Sequence, residues 1–336
     1  MGNRPFKGQI EITFGCSLRC VHCYSDCYNN PESIKNELTY KEITNILDQI
    51  HNEGCLWLCF TGGDPLARTD FLDIYTYAKK LGFLITIFTN GTLITEEIAD
   101  YFLKEPPFSI EITLNGISPK TYETISQIPG SFKKAMQGIR LIIERKLPLK
   151  IKFQAMTINH YELEKVKEFS KKIGAVFKYG GSMIYPRLDA SKEPCKLRLP
   201  PSQLIEMNYP QDFCEEIENK KIPDSPSRWS ERLFRCAAGI NSFAIDPYGN
   251  LIFCTFVREP NFSLKEGKFS EGFYSLYPQI RSTEWRTDSK CRECKLQPLC
   301  NNCPGKAYLE TGDPEAPVDY FCQLAQAKAK KLGFSL

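Results

Sequence analysis

The chain is 336 residues long with a formal net charge of +3, and 42% of its residues are hydrophobic, an ordinary proportion for a soluble globular protein. That length can bury one large core and a smaller one. The near-neutral charge gives no reason to expect nucleic acid or a membrane surface as partner.

The first eight residues, Met-Gly-Asn-Arg-Pro-Phe-Lys-Gly, hold no apolar run, and no window approaches the length of a membrane span. Phe6 stands where a myristoylation signal needs Ser or Thr. Fifteen cysteines, an odd number with C-x2-C spacings and no signal peptide before them, argue for metal in a reducing cytoplasm rather than for disulfides.

In chain order, strand-like apolar runs fall at residues 9–14, 56–61, 84–89, 108–114, 149–157 and 176–184. Helical periods lie between them, as in Ile43, Leu47 and Ile50. Their starts carry caps: Thr39 with Glu42, Thr95 before Glu96-Glu97, Ser118 before Pro119, and Asn159 with Glu162. Gly54, Gly82 and Gly174 stand where helices should end. Six strand–helix units imply an α/β fold with a parallel sheet, too few for a closed eight-fold barrel. Expected boundaries are 1–186 for this unit, 187–235 for a bridge rich in Pro, Lys and Glu, and 236–336 for a loop-rich, cysteine-rich module.

Three cysteines directly follow the first strand: Cys16-Ser-Leu-Arg-Cys20-Val-His-Cys23-Tyr24. Thiols at C-x3-C-x2-C spacing on one loop leave the fourth corner of an iron–sulfur cube without a protein ligand, where a substrate or cofactor can bind iron. A zinc knuckle completed by His22 would use the same thiols. After the second strand comes Phe60-Thr61-Gly62-Gly63-Asp64-Pro65, whose glycines allow close backbone approach to a ligand. Thr89-Asn90-Gly91, Thr113, Asn115 and Gln154 are polar residues at the ends of later strands, and Arg187 follows the sixth; turn chemistry explains them equally well.

These motifs resemble the radical S-adenosylmethionine (radical SAM) superfamily. The resemblance implies a partial (β/α)6 barrel whose chemistry sits at the strand C-termini. It also implies a 4Fe–4S cluster on Cys16, Cys20 and Cys23 that reduces SAM to a 5′-deoxyadenosyl radical. Tyr24, Gly62, Gly63, Asp64, Thr89, Asn90, Thr113, Asn115, Gln154 and Arg187 are then the residues expected around SAM. Asp64 replaces the usual Glu of the family's Gly-Gly-Glu-Pro motif, whose contacts run largely through backbone.

The C-terminal pattern runs Cys236, Cys254, Cys291-x2-Cys294-x5-Cys300-x2-Cys303 and Cys322. Before Cys254, Asp246-Pro-Tyr-Gly249 reads as the turn of a β-hairpin. The pattern resembles the SPASM extension of radical SAM enzymes, which carries auxiliary 4Fe–4S clusters, although two residues stand between Cys300 and Cys303 where the family has three. The resemblance implies an outer cluster on Cys291, Cys294, Cys300 and Cys322, and an inner one on Cys236, Cys254 and Cys303 with an open iron or a borrowed ligand. Paired zinc sites are the alternative. Cys55 and Cys59 read as core thiols, Cys27 as undecided, and Cys195 and Cys214 as candidate hydrogen donors. His22, His51 and His160 carry no signal of their own.

SPASM relatives mostly modify peptides. The resemblance therefore implies a peptide-modifying enzyme that forms a thioether or carbon–carbon cross-link, with epimerisation and maturation of a haem or quinone cofactor as alternatives. A non-catalytic iron–sulfur or zinc scaffold is the rival. Thr255 after Cys254 weakens a sulfatase-maturing role, where the family has Asp. Implied partners are a peptide or small protein, a reductant such as flavodoxin or ferredoxin, and a separate leader-binding protein.

Overall fold

The computed structural model describes residues 3–25, 31–180, 184–207 and 231–334, so Cys27 and Cys214 lie outside the described residues. Six parallel strands follow one another in order: β1 (Lys7–Thr13), β2 (Trp57–Gly62), β3 (Leu84–Thr89), β4 (Ser109–Thr113), β5 (Leu149–Phe153) and β6 (Val176–Tyr179). Helices lie between them: α1 (Pro31–Lys35), α2 (Tyr40–Asn52), α3 (Phe71–Lys80), α4 (Glu96–Lys104), α5 (Pro119–Ser126), α6 (Ser131–Glu144) and α7 (Leu163–Lys172). Alternate strand residues such as Ile10, Phe60, Ile87, Ile112 and Ile151 are at most 3% exposed and share one core with Leu47, Ile50, Ile74, Phe102, Ile142 and Val166 of the helices. The other strand face looks into the lumen of the partial (β/α)6 barrel. Thr39, Thr95 and Ser118 cap helices as their sequence pattern implies, Thr39 with Glu42 as a full capping box.

Two expectations fail for the same reason. Strand five stops at Phe153 rather than at residue 157, because side-chain amides take over its ladder. Asn115 Oδ1 accepts from Gln154 N at 2.8 Å, Asn159 Oδ1 accepts from Met156 N at 2.7 Å, and Asn159 Nδ2 donates to the carbonyls of Asn115 and Gln154. Asn159 is therefore not the side-chain cap of a box with Glu162. Glu162 instead accepts from Ile117 N, Ser118 N, Ser118 Oγ and Thr121 Oγ1, fixing the start of α5 from outside.

After α8 (Pro201–Glu206), the hairpin implied by Asp246–Gly249 forms from β7 (Ser242–Ile245) and β8 (Asn250–Ile252), with β9 (Phe262–Ser263) beyond it. Asp246 Oδ1 accepts from Tyr248 N and Asn250 N, and Gly249 has φ +89°. The hairpin does not stand apart. Strand β7 pairs in parallel with β1, and the sheet order among the described residues is β6-β5-β4-β3-β2-β1-β7-β8-β9. Helices α9 (Phe269–Arg281), α10 (Pro304–Thr311) and α11 (Asp319–Lys331) complete the described chain. Arg198 staples the bridge to this region: it makes a bidentate pair with Glu310 at 2.8 Å, donates to Ile184 O, and lies 4.7 Å from the ring centre of Tyr320.

Candidate functional site

The cysteine loop leaves the C-terminal end of β1 and is pinned to the end of α5, where Arg19 N and Val21 N donate to Ser126 O and Ile125 O. Gly62 and Gly63 cross directly over it. A Cβ on Gly62 would lie 2.1 Å from Thr13 O, and one on Gly63 would lie 2.2 Å from Gly15 O. That space lets Gly63 N and Asp64 N donate to Thr13 O and Gly15 O at 2.7 and 2.8 Å.

Asp64 is fully buried, and its carboxylate is engaged by Thr89 Oγ1, Asn90 N and Leu66 N. Burial pushes that carboxyl up to about 6 against the pull of these donors. The side chains of Asp64 and Thr89 thus tie the end of β2 to the end of β3, and face the scaffold. Asn90 Nδ2 donates to Cys16 Sγ at 3.7 Å and to Ser17 Oγ at 3.1 Å, an outer support for a thiolate ligand.

The three thiols lie near enough for their charges to act on one another. Burial, then the charges of Asp64 and Cys23, push Cys16 up to about 12; burial and the charges of Cys23 and Cys16 push Cys20 up as well. Thiols grouped this way become thiolates when a cation takes up their charge, the chemistry of an iron–sulfur cluster site. Two buried polar atoms beside them find no partner in the protein: His22 Nδ1 and the hydroxyl of Tyr122. His22 turns its Nε2 toward Asn115, meeting Nδ2 at 3.1 Å, and burial pushes the ring down to about 4, so the neutral imidazole carries its proton on Nδ1. Among the described residues no three His, Cys, Asp or Glu side chains are placed to share one metal ion.

Inside the lumen, Tyr24 reaches down from the cysteine loop and donates to Glu11 on β1 at 3.2 Å. Glu11 is fully buried, and Arg258 approaches it at 2.5 Å from beyond the β7–β8 hairpin. Across the lumen Glu111 on β4 is ringed by Lys150, Lys152 and Lys178. Cys59 belongs here too. It stands on the lumen face of β2, and the groups acting on its thiol after burial are Lys152, Glu111 and Lys178. Thr113 ends the lumen face of β4. Leu188 N donates to Tyr24 O, which brings the segment carrying Arg187 across the end of the cysteine loop.

The seven C-terminal thiols line a single cavity of about 520 Å³. Their charges act on one another in two groups. Burial raises Cys254, to which Cys303 and Cys236 add; burial raises Cys300, to which Cys322, Cys291 and Cys294 add. Trp285 Nε1 lines the same cavity and is buried without a partner. The donor set suits iron–sulfur clusters, as at the first site. Surrounding side chains order these loops. Glu315 accepts from Arg286 N, Thr287 N and Thr287 Oγ1 ahead of Cys291, Arg281 donates to Cys236 O and Ala238 O, and Lys328 donates to Leu299 O and Asn301 Oδ1 beside Cys300 and Cys303. Cys195 lies elsewhere, on the bridge, where the groups acting on its thiol are Arg198, Glu310 and Lys192.

Sequence reading missed Tyr122, Trp285, Cys59 and the lumen charges. Only the strand alternation of Glu111, Lys150 and Lys152 with apolar residues carried any sign of them, and that sign is shared with a solvent face.

A parallel sheet carrying a three-thiol loop at the end of its first strand and a glycine pair at the end of its second defines the class of the barrel: residues 10–173 match the radical SAM superfamily. Enzymes of that superfamily use a 4Fe–4S cluster and SAM. The chain is 25% identical to the AdoMet-dependent heme synthase of Methanosarcina barkeri over 93% of its own length and 95% of that protein's. It is 24% identical to the PqqA peptide cyclase of Granulibacter bethesdensis over 96% and 88%. Its fold is similar to that of Streptococcus suis SuiB at 19% identity, with TM-scores of 0.72 for SuiB bound to S-adenosylmethionine and 0.74 for SuiB bound to its precursor peptide SuiA. The two superpositions cover 96% of this chain and 78% and 76% of SuiB. Among the described residues no helix is long and apolar enough to cross a membrane.

Proposed function

We propose that this enzyme modifies a residue of a peptide held in the barrel lumen. The observation that carries the reading is the lumen lining. Glu11, Arg258, Tyr24, Glu111 and three lysines offer hydrogen-bonding and charged partners to a polar chain. The similarity to a peptide cyclase over nearly the whole chain supports it.

Cys16, Cys20 and Cys23 would hold the SAM-binding cluster, which with SAM supplies a hydrogen-abstracting radical. The chain's own residues do the positioning. The Gly62-Gly63 backbone would set SAM against the cysteine loop, Asn90 supports Cys16, and Asn115 orients His22 and the start of the Gln154 segment. Cys291, Cys294, Cys300 and Cys322 would hold one auxiliary cluster; Cys236, Cys254 and Cys303 would hold three corners of the other.

The experiment is anaerobic reaction of the reduced holoenzyme with co-expressed candidate peptides in D2O, read by exact mass. A loss of about two daltons marks oxidative cross-linking, in which two hydrogens leave the peptide. A gain of about one dalton marks return of an exchangeable hydrogen from a thiol, hence epimerisation; Cys195, Cys214 and the lumen thiol Cys59 are then the variants to make. Unchanged peptides with continued SAM cleavage would refute the peptide reading. A second reading, maturation of a tetrapyrrole, is favoured by the full-length similarity to the haem synthase and predicts oxidative loss of carboxylate carbon from a porphyrin instead.

A further inference from the structure

Four charged side chains stand together on the lumen face of three neighbouring strands: Glu111 of β4, Lys150 and Lys152 of β5, and Lys178 of β6. The flanking residues Ile110, Ile112, Ile151 and Phe153 are at most 1% exposed against the helices, so the charges point the other way. Lys178, Lys150 and Lys152 place their Nζ atoms 2.8, 3.4 and 3.8 Å from the Glu111 carboxylate. Lys152 also lies 3.2 Å from the ring centre of Phe88. No other carboxylate among the described residues pairs with these lysines, so three ammoniums meet one carboxylate and two positive charges are left over.

The arrangement is unfavourable as mere scaffolding. Lys152 and Lys178 are directly opposite each other in the β5–β6 ladder, and like charges so placed destabilise a sheet. Burial holds Lys152 down to about 8 even though Glu111 pulls the other way. Local rules are broken in this manner where a ligand settles the account. Glu111 itself displays what such a ligand looks like, since it is a carboxylate held by ammoniums in a partly desolvated cleft.

We propose that Lys150, Lys152 and Lys178 form an anion site in the lumen that receives a carboxylate of the substrate, with Glu111 spacing the lysines. The proposal rests on the reading that the lumen takes the substrate. The carboxylate can come from an acidic side chain or C-terminus of a peptide, or from a propionate of a tetrapyrrole.

The test uses the SAM-loaded holoenzyme with glutarate as probe and neutral glutaramide as control, binding being followed by ligand-observed NMR. Glutarate should saturate and glutaramide should not. Lys178→Met should weaken glutarate about tenfold and Lys178→Arg by less than about threefold, because the charge remains. Glu111→Gln should tighten it about threefold or more by freeing an ammonium, an effect a structural role would not produce. Equal binding of the two probes would overturn the site, as would glutarate binding unmoved by both Lys178→Met and Glu111→Gln. Displacement of glutarate by an N-acetylated Ala-Glu-Ala amide supports the site with a peptide source. Displacement by a propionate-bearing porphyrin alone supports the site while counting against the peptide reading.

Discussion

Gly63 gives the sharpest test of how the barrel end holds the cysteine loop, because its backbone is in an ordinary conformation and only the close approach demands glycine. In Gly63→Ala the new Cβ would lie 2.2 Å from Gly15 O and 2.7 Å from Phe14 O. Real contacts essentially never fall under 3.0 Å and ordinary contact begins at 3.4 Å, so the strands must separate by 3.0 − 2.2 to 3.4 − 2.2, about 0.8–1.2 Å. Both atoms met are backbone, and the residue after Gly15 is Cys16, so relief moves the cysteine loop. A displacement of about 1 Å at a reacting centre costs on the order of 10²-fold in rate, whereas overpacking of this kind costs about 1–3 kcal/mol of stability. The assay is 5′-deoxyadenosine formation by anaerobically reconstituted protein under excess reductant, with iron content and melting temperature measured on the same sample. Gly82→Ala is the control. Its φ of +88° makes alanine strained by about 1–2 kcal/mol, but nothing lies within 4 Å of the added carbon, and activity should stay within about twofold. Gly63→Ala with full iron and SAM cleavage within threefold of wild type would refute the argument.

Cys303→Ala should lower iron by about four atoms from about twelve per chain while SAM still binds, because one auxiliary cluster loses a corner and the first site is untouched; unchanged iron would remove Cys303 from the ligand set. Lys152 predicts a pH effect of definite sign. Burial lowers it from 10.5 to about 8, so between those values the unfolded chain binds more protons and the folded state gains stability as pH rises, by up to about 3 kcal/mol. Lys152→Met should flatten that rise in denaturation midpoints measured from pH 7.5 to 10.5, and parallel profiles would contradict the assignment.

Much of this architecture was legible because local chemistry and global fold agree in it. Thr39, Thr95 and Ser118 cap the helices that their neighbours in sequence announce. What stayed hidden depends on partners distant in sequence. Asn159 and Glu162 have the spacing of a capping box, yet Asn115 and the start of α5, over 40 residues earlier, compete for them and win. Cys59 and Lys152 alternate with apolar residues as a solvent-facing strand would, because period two identifies the uncovered face of a sheet without saying whether it meets water or a lumen. Asp64, Thr89 and Asn90 stand out in the sequence as polar residues at strand ends, but their separate contacts do not: Asp64 and Thr89 join the ends of β2 and β3, while Asn90 reaches Cys16.

The pairing of β7 with β1 also sets a timetable. Strand β1 is the first made, but one of its edges waits for Ser242, which pairs with Lys7 from 242 − 7 = 235 residues later. At about 5–20 residues per second of synthesis, that edge stays open for about 12–47 s. Throughout that interval the nascent chain presents unpaired amides and carbonyls next to the loop that must capture iron, an invitation to strand addition by other chains. Heterologous production should therefore be limited by what shelters this edge during translation, and slower growth at low temperature with abundant chaperone should raise the yield of intact enzyme more than any change in iron supply.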